Sequence, residues 1–226
     1  MPRCYTCLED LSFPWLAPCQ KCLEMPTGPA RDWTGIPEWL DAGHSAISFT
    51  GTAYRLFKEW KKRPTPRLRR WVQKHSTSPL ELQWFEAHSG FLVPIPQSYR
   101  RRVELGHWPS GSLARWISKA TGLQIQNILG VSSQTPQNQQ AQRSLEERHA
   151  AQMNFECQPE TQLWIRAHPA CQTWVLIDDA RTTGATLTAA AKSLRLMGAR
   201  GKIVAWTLGF RPRTIATARA RPHNHR

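Results

Sequence analysis

Two adjacent carboxylates, Asp178 and Asp179, stand just before the threonine-rich turn Thr182-Thr183-Gly184-Ala185-Thr186, a spacing suited to holding a sugar phosphate. Ionised carboxylates only accept bonds, from hydroxyls or a metal, and a vicinal diol supplies such hydroxyls. Thr182, Thr183 and Thr186 add hydroxyl donors, and the small residues between them let backbone N–H groups converge on an anion. This chemistry needs a strand that ends at the acids and a helix that begins after the turn. Trp174 to Ile177 is short and apolar, as an internal parallel strand is, and Ala185 to Met197 repeats apolar residues at helical spacing until Gly198 can stop it. The turn then meets a helix N-terminus, where the dipole favours negative charge. A merely capped helix start is the alternative, and it would not require so much of the pattern.

Val175-Leu176-Ile177 followed by Asp178-Asp179 and the threonine turn resembles the phosphoribosyl pyrophosphate (PRPP) motif of type I phosphoribosyltransferases. The resemblance implies that Asp178 and Asp179 hold ribose hydroxyls. It also implies that Ala180, Arg181, Thr182, Thr183, Gly184, Ala185 and Thr186 surround the 5′-phosphate of PRPP or ribose 5-phosphate.

Four of the six cysteines form two Cys-x2-Cys pairs, Cys4/Cys7 and Cys19/Cys22, with eleven residues between them. That spacing suits a closed tetrahedral site for a structural Zn2+. Two short disulfides are the alternative and would need an oxidising compartment. Cys157 and Cys171 lack partners at metal spacing and read as buried or idle thiols.

The formal net charge of +14 favours polyanionic partners or phosphorylated ligands. Much of it lies between Ala53 and Lys74, where Arg55, Lys58, Lys61, Lys62, Arg63, Arg67, Arg69, Arg70 and Lys74 face a single Glu59. Tyr54, Phe57, Trp60 and Trp71 are interleaved with them. A solvated basic face with core-directed rings accounts for most of this pattern. The charge excess still calls for a partner, and single-stranded DNA supplies a phosphate backbone and bases that stack on aromatic rings.

The segment 53–74 is expected to be helical and broken near Pro64 and Pro66, after a tryptophan-containing irregular stretch that reaches about Thr50. Phe91 to Pro96 predicts a buried strand, followed by a loop carrying Arg100, Arg101 and Arg102. A helix follows from about Pro109 to Thr121, stopped by Gly122, and Gln124 to Val131 predicts a third strand. Ser132 to Gln142 is polar and aperiodic and reads as a mobile loop before the charged segment from Arg143 to Gln152. Lys202 to Leu208 predicts the strand after the motif helix, and the basic residues from Thr214 to Arg226 read as a frayed tail. Strands alternating with helices predict an α/β fold with a parallel sheet and ligands at the carboxyl ends of its strands. No apolar run approaches the roughly 18 residues of a membrane span, and no signal-peptide core is recognisable, so a cytoplasmic protein is expected.

Beyond the single motif, the chain resembles the ComF family of competence-associated phosphoribosyltransferase-like proteins. The likeness rests on the four-cysteine module with Cys22-Leu23 shortly before Pro26, on Val93-Pro94-Ile95-Pro96, on Arg100, Arg101 and Gly106, on the Thr135-Pro136-Gln137 loop and on the PRPP motif. It implies a type I phosphoribosyltransferase-like parallel sheet flanked by helices over residues 45–212, a zinc-ribbon-like module over 1–26 and a basic tail over 213–226. The implied role is the handling of incoming single-stranded DNA in natural transformation, with competence-machinery proteins as partners. In an enzyme of this kind Mg2+ accompanies PRPP, and Arg100 and Arg101 stabilise the departing pyrophosphate, with His107 a further catalytic candidate. The chain departs from the family where R-G-F-N-Q becomes Leu105-Gly106-His107-Trp108-Pro109, and where Arg148 is followed by Ala151 instead of asparagine. The missing arginine and amides remove support for pyrophosphate. A nucleobase-salvage phosphoribosyltransferase and a non-enzymatic PRPP-sensing regulator are therefore the alternatives.

Overall fold

The structure, a computed structural model, describes residues 18, 20–24, 31–131, 155–156, 159–167 and 173–211. Its elements are α1 (Gln20–Glu24), β1 (Arg31–Asp32), β2 (Ala42–Ser48), α2 (Gly51–Lys62), α3 (Pro66–Ser76), α4 (Pro79–Ala87), β3 (Gly90–Pro94), α5 (Tyr99–Leu105) and α6 (Pro109–Thr121). They are followed by β4 (Gln124–Ile125), β5 (Gly130–Val131), β6 (Phe155–Glu156), α7 (Pro159–Ala167), β7 (Thr173–Arg181), α8 (Ala185–Leu196) and β8 (Ile203–Phe210). One sheet has the order β1-β2-β8-β7-β3-β4, its last five strands parallel and β1 antiparallel at the edge. The expected α/β class and parallel sheet are present. Strands β5 and β6 form a separate antiparallel pair.

The stretch Trp174 to Ile177 of β7 is covered on both faces, which is why it is an unbroken apolar run. Side chains alternate across the sheet. Val175 and Ile177 pack with Leu56, Trp60, Val72 and Leu113 from α2, α3 and α6. Trp174 and Leu176 pack with Leu187, Ala190 and Leu194 of α8 and with Ile165 of α7. The result is a three-layer arrangement whose central strand delivers the acids at its carboxyl end.

Proline and hydroxyl caps divide the basic segment as the sequence predicts. Thr65 Oγ1 accepts from the Leu68 N–H at 3.4 Å with Pro66 in the first turn of α3, and Ser78 with Pro79 begins α4 in the same way. Pro109 opens α6, and Gly122, at φ 77°, closes it.

Three local expectations need correction. The tryptophan stretch is not irregular up to Thr50, because β2 occupies 42–48 at the heart of the sheet beside β8. Its polar residues conceal it. His44 bonds Asp32 Oδ1 at 2.8 Å and Glu81 Oε1 at 3.2 Å, and Ser45 Oγ pairs with Thr207 Oγ1 at 2.8 Å, so buried polar atoms find partners on distant elements. Gly43 is required there, since a Cβ would lie 2.0 Å from the Trp33 ring. The arginine loop after β3 is helix α5, started by Ser98 Oγ accepting from the Arg101 N–H at 3.3 Å. Of the expected third strand only Gln124–Ile125 joins the main sheet, while Gly130–Val131 pairs with β6. The segments 132–152 and 214–226 lie outside the described residues.

Candidate functional site

The sheet order creates a crevice between the carboxyl ends of β3 and β7. From β3 the chain moves outward to β4, and from β7 it moves the opposite way to β8, so these neighbours form the topological switch point at which open α/β sheets hold ligands. Strand pairing continues past β3, where the Ile95 N–H donates to the Ile177 carbonyl at 2.9 Å. The indole of Trp108 and the hydroxyl of Ser110 both donate to the Ile95 carbonyl, at 2.9 and 2.7 Å, and anchor α6 against this edge.

Asp178 and Asp179 sit at this point, but inside β7, which runs on to Arg181 instead of stopping at Ile177. Neither acid stands in open solvent. Asp179 is buried and Asp178 is half-buried. By strand alternation Asp179 shares the face of Val175 and Ile177, toward α2, and there its Oδ2 pairs with Lys61 Nζ at 2.7 Å. Asp178 Oδ1 accepts the Asp179 N–H at 2.8 Å. Burial pushes the Asp178 pKa up to about 7 and Asp179 adds to the rise, while the accepted N–H and Lys61 oppose it. The pair thus carries its own cation, and any metal on Asp179 has to displace or share Lys61.

The turn itself is open. Thr182 and Thr183 are exposed, Ala180, Ala185 and Thr186 are half-buried, and Gly184 is buried at φ 86° at the start of α8. Thr183 Oγ1 accepts the Ala185 N–H at 3.2 Å, so one donor of the turn is locally satisfied. Arg181 packs beside the turn, where a Cβ on Gly184 would lie 3.5 Å from its Nε. Its guanidinium lies 4.2 Å over the Trp33 ring and 5.4 Å from that of Phe210, and Nη2 donates to the Gly35 carbonyl at 3.3 Å. Its Nε is buried without a hydrogen-bond partner, and burial lowers its pKa from the usual arginine value. Gln97 Oε1, on the loop after β3, is a second buried polar atom without a partner. Both unpartnered atoms lie near the carboxyl ends of the two switch-point strands.

Two contributions escaped the sequence reading. The loop from Trp33 to Asp41 abuts the turn, since a Cβ on Gly184 would meet Pro37 Cγ at 3.1 Å. Gln97 follows the Val93-Pro94-Ile95-Pro96 run, and its place beside that run was the only available signal.

Arg100 and Arg101 do not reach the acids. They are exposed on α5 and paired with Glu104 at 3.1 and 3.4 Å. His107 is half-buried near the site, with Nε2 donating to the Lys61 carbonyl at 3.0 Å and its ring edge-on to Trp60. Burial holds its pKa below the ordinary histidine value despite the bond to that carbonyl.

On the basic segment Arg55, Lys58, Lys62, Arg63, Arg67, Arg69, Arg70 and Lys74 are exposed, whereas Lys61 is engaged by Asp179. The rings divide differently from a stacking platform, because Phe57, Trp60 and Trp71 are buried and Tyr54 is half-buried. Cys4, Cys7 and Cys19 lie outside the described residues, and Cys22 is buried on α1. Among the described residues no cluster of three His, Cys, Asp or Glu side chains could hold a metal, and no helix is long and apolar enough to cross a membrane.

No protein-family profile matches this chain, and no curated protein matches it.

Proposed function

We propose that this is a ComF-like protein of type I phosphoribosyltransferase fold, a cytoplasmic factor that handles single-stranded DNA in natural transformation and holds PRPP or ribose 5-phosphate. The observation that carries the ligand reading is the pair Asp178 and Asp179 with the following threonine turn at the switch point of a parallel sheet. The acids receive ribose hydroxyls, and Thr182 to Thr186 with the start of α8 receive the 5′-phosphate. Mg2+ bound with PRPP would offset the charge of its pyrophosphate, and Asp178 and Asp179 are the carboxylates that would help hold it, with Lys61 displaced or shared. The four N-terminal cysteines hold a structural Zn2+, and the exposed cations of α2 and α3 contact the DNA backbone.

A PRPP-sensing role without turnover is favoured over nucleobase salvage by one specific arrangement. Arg100 and Arg101 are paired with Glu104, so the cations expected to support a leaving pyrophosphate are otherwise engaged. Titration calorimetry with PRPP and Mg2+, followed by a pyrophosphate-release assay with candidate bases, tests both. Binding without release establishes the sensor, release establishes the enzyme, and absence of binding overturns the ligand reading.

A further inference from the structure

A cleft of about 390 Å³ opens between α2, α3 and α6, outside the pentose-phosphate pocket. Its lining includes Arg69 and Arg70 from α3 and Arg115 from α6, and it includes no carboxylate. All three arginines are exposed, and none is paired with a carboxylate among the described residues. Among the described residues Arg115 bonds the Ser112 hydroxyl on its own helix, at 3.2 Å. Three guanidinium groups drawn to one concavity repel one another until an anion arrives, and their planar forks match phosphate oxygens. The volume falls within the roughly 300–1,000 Å³ of small-molecule sites.

The same cleft has an aromatic wall. Half-buried Trp116 is backed by fully buried Trp60, with ring centroids 6.3 Å apart and planes inclined by 41°. His107 continues the wall, edge-on to Trp60 at 5.5 Å. Its position is fixed by the bond to the Lys61 carbonyl. Burial keeps this imidazole from being a fourth cation near neutral pH. A bare phosphate would use the guanidinium groups and leave the wall empty. A planar ring joined to a phosphate uses both.

We propose that this cleft binds a single nucleotide, its phosphate held by Arg69, Arg70 and Arg115 and its base laid against Trp116. The occupant is either a free nucleoside monophosphate or the phosphorylated end of a single strand, and one chemistry serves both. The cleft requires nothing of the acid pair. Lys61 nevertheless links the two places, with its carbonyl on His107 and its ammonium on Asp179.

Calorimetric titration of the full chain with thymidine 5′-monophosphate, thymidine and inorganic phosphate tests the site, because a deoxyribose lacks the vicinal diol that the acid pair takes. Thymidine 5′-monophosphate is expected to bind at least about tenfold more tightly than either fragment. The double variant Arg69→Gln/Arg115→Gln should weaken that binding by about tenfold or more, while Asp178→Asn/Asp179→Asn leaves it unchanged. Both arginines are exposed, and matching melting temperatures confirm that the fold survives. Unchanged affinity in the arginine variant, phosphate binding as tightly as the nucleotide, or loss confined to the acid variant would each overturn the proposal. Displacement of the nucleotide by a 5′-phosphorylated oligothymidylate assigns the site to a DNA end. Failure to displace it assigns the site to free nucleotide, and the cleft stands in either case.

Discussion

Lys61 Nζ lies 2.7 Å from Asp179 Oδ2, so a cation from the basic helix α2 neutralises the acid pair at the end of β7. The contact is neither a surface pair nor a fully buried one, with the lysine side chain 27% and the aspartate 12% exposed. Lys61→Met should therefore destabilise the protein by about 1–2 kcal/mol, between the limits for exposed and buried pairs. It should also raise the Asp178 pKa further by removing the nearest positive charge. Chemical denaturation and carboxyl titration by NMR measure the two effects, and a Lys61→Met protein equal to the parent in both would show the pair to be idle.

Asp178 makes stability depend on pH in a definite direction. Its folded pKa of about 7 stands above the ordinary 3.8, so the folded state retains a proton that the unfolded chain releases. The associated stabilisation is complete below the ordinary value, declines as pH rises between the two, and is gone above about 7. Asp178→Asn should flatten this decline and raise the melting temperature relative to the parent at about pH 8. Melting curves across that range, parallel for parent and variant, would contradict it.

Replacing both acids by asparagine should reduce ribose 5-phosphate affinity by about tenfold or more, because the diol loses two charged acceptors. Thr183→Val should weaken binding less, since one hydroxyl is lost and the Ala185 N–H is left without its partner. Ligand titration on variants with parental circular dichroism decides this. Parental affinity in the doubly substituted protein would identify the turn as a simple helix start.

One zinc per chain is expected in protein prepared without oxygen, and Cys4→Ser or Cys22→Ser should abolish it, because the removal of one thiolate opens a closed tetrahedral site. Cys157→Ser should retain the metal. Elemental analysis reads both outcomes, and parental zinc content in the Cys4→Ser protein would remove that ligand from the set.

Single-stranded DNA affinity should fall with salt, and reversing the exposed charges of Lys62, Arg63 and Arg67 to glutamate should weaken binding and flatten the salt slope. Lys61 is a poor choice for that test, because its substitution also disturbs Asp179. Stacking on Trp60 is excluded as the source of affinity, since that ring is fully buried. Fluorescence anisotropy at several salt concentrations checks the prediction, and an unchanged slope in the reversed variant reduces the patch to a solvated face.

Residue type and spacing alone determined that a strand precedes and a helix follows the turn near Gly184, the break between α2 and α3, and the extent of α6, though not that β7 runs on through the acids to Arg181. Each is governed by interactions within a short stretch: apolar periodicity, proline at a first turn, glycine at a helix end. Strand β2 was hidden because His44 and Ser45 are made acceptable in the core by Asp32, Glu81 and Thr207, which only the folded chain brings near. The same cause separates the cations that look alike in sequence. Lys61 meets Asp179, Arg69 and Arg70 share a cleft with Arg115, and Arg100 and Arg101 turn to Glu104. A local pattern specifies which groups a segment carries. Which partner each meets depends on how β7 registers between β3 and β8 and on which helices cover each face, and those are long-range packing decisions that no single stretch encodes.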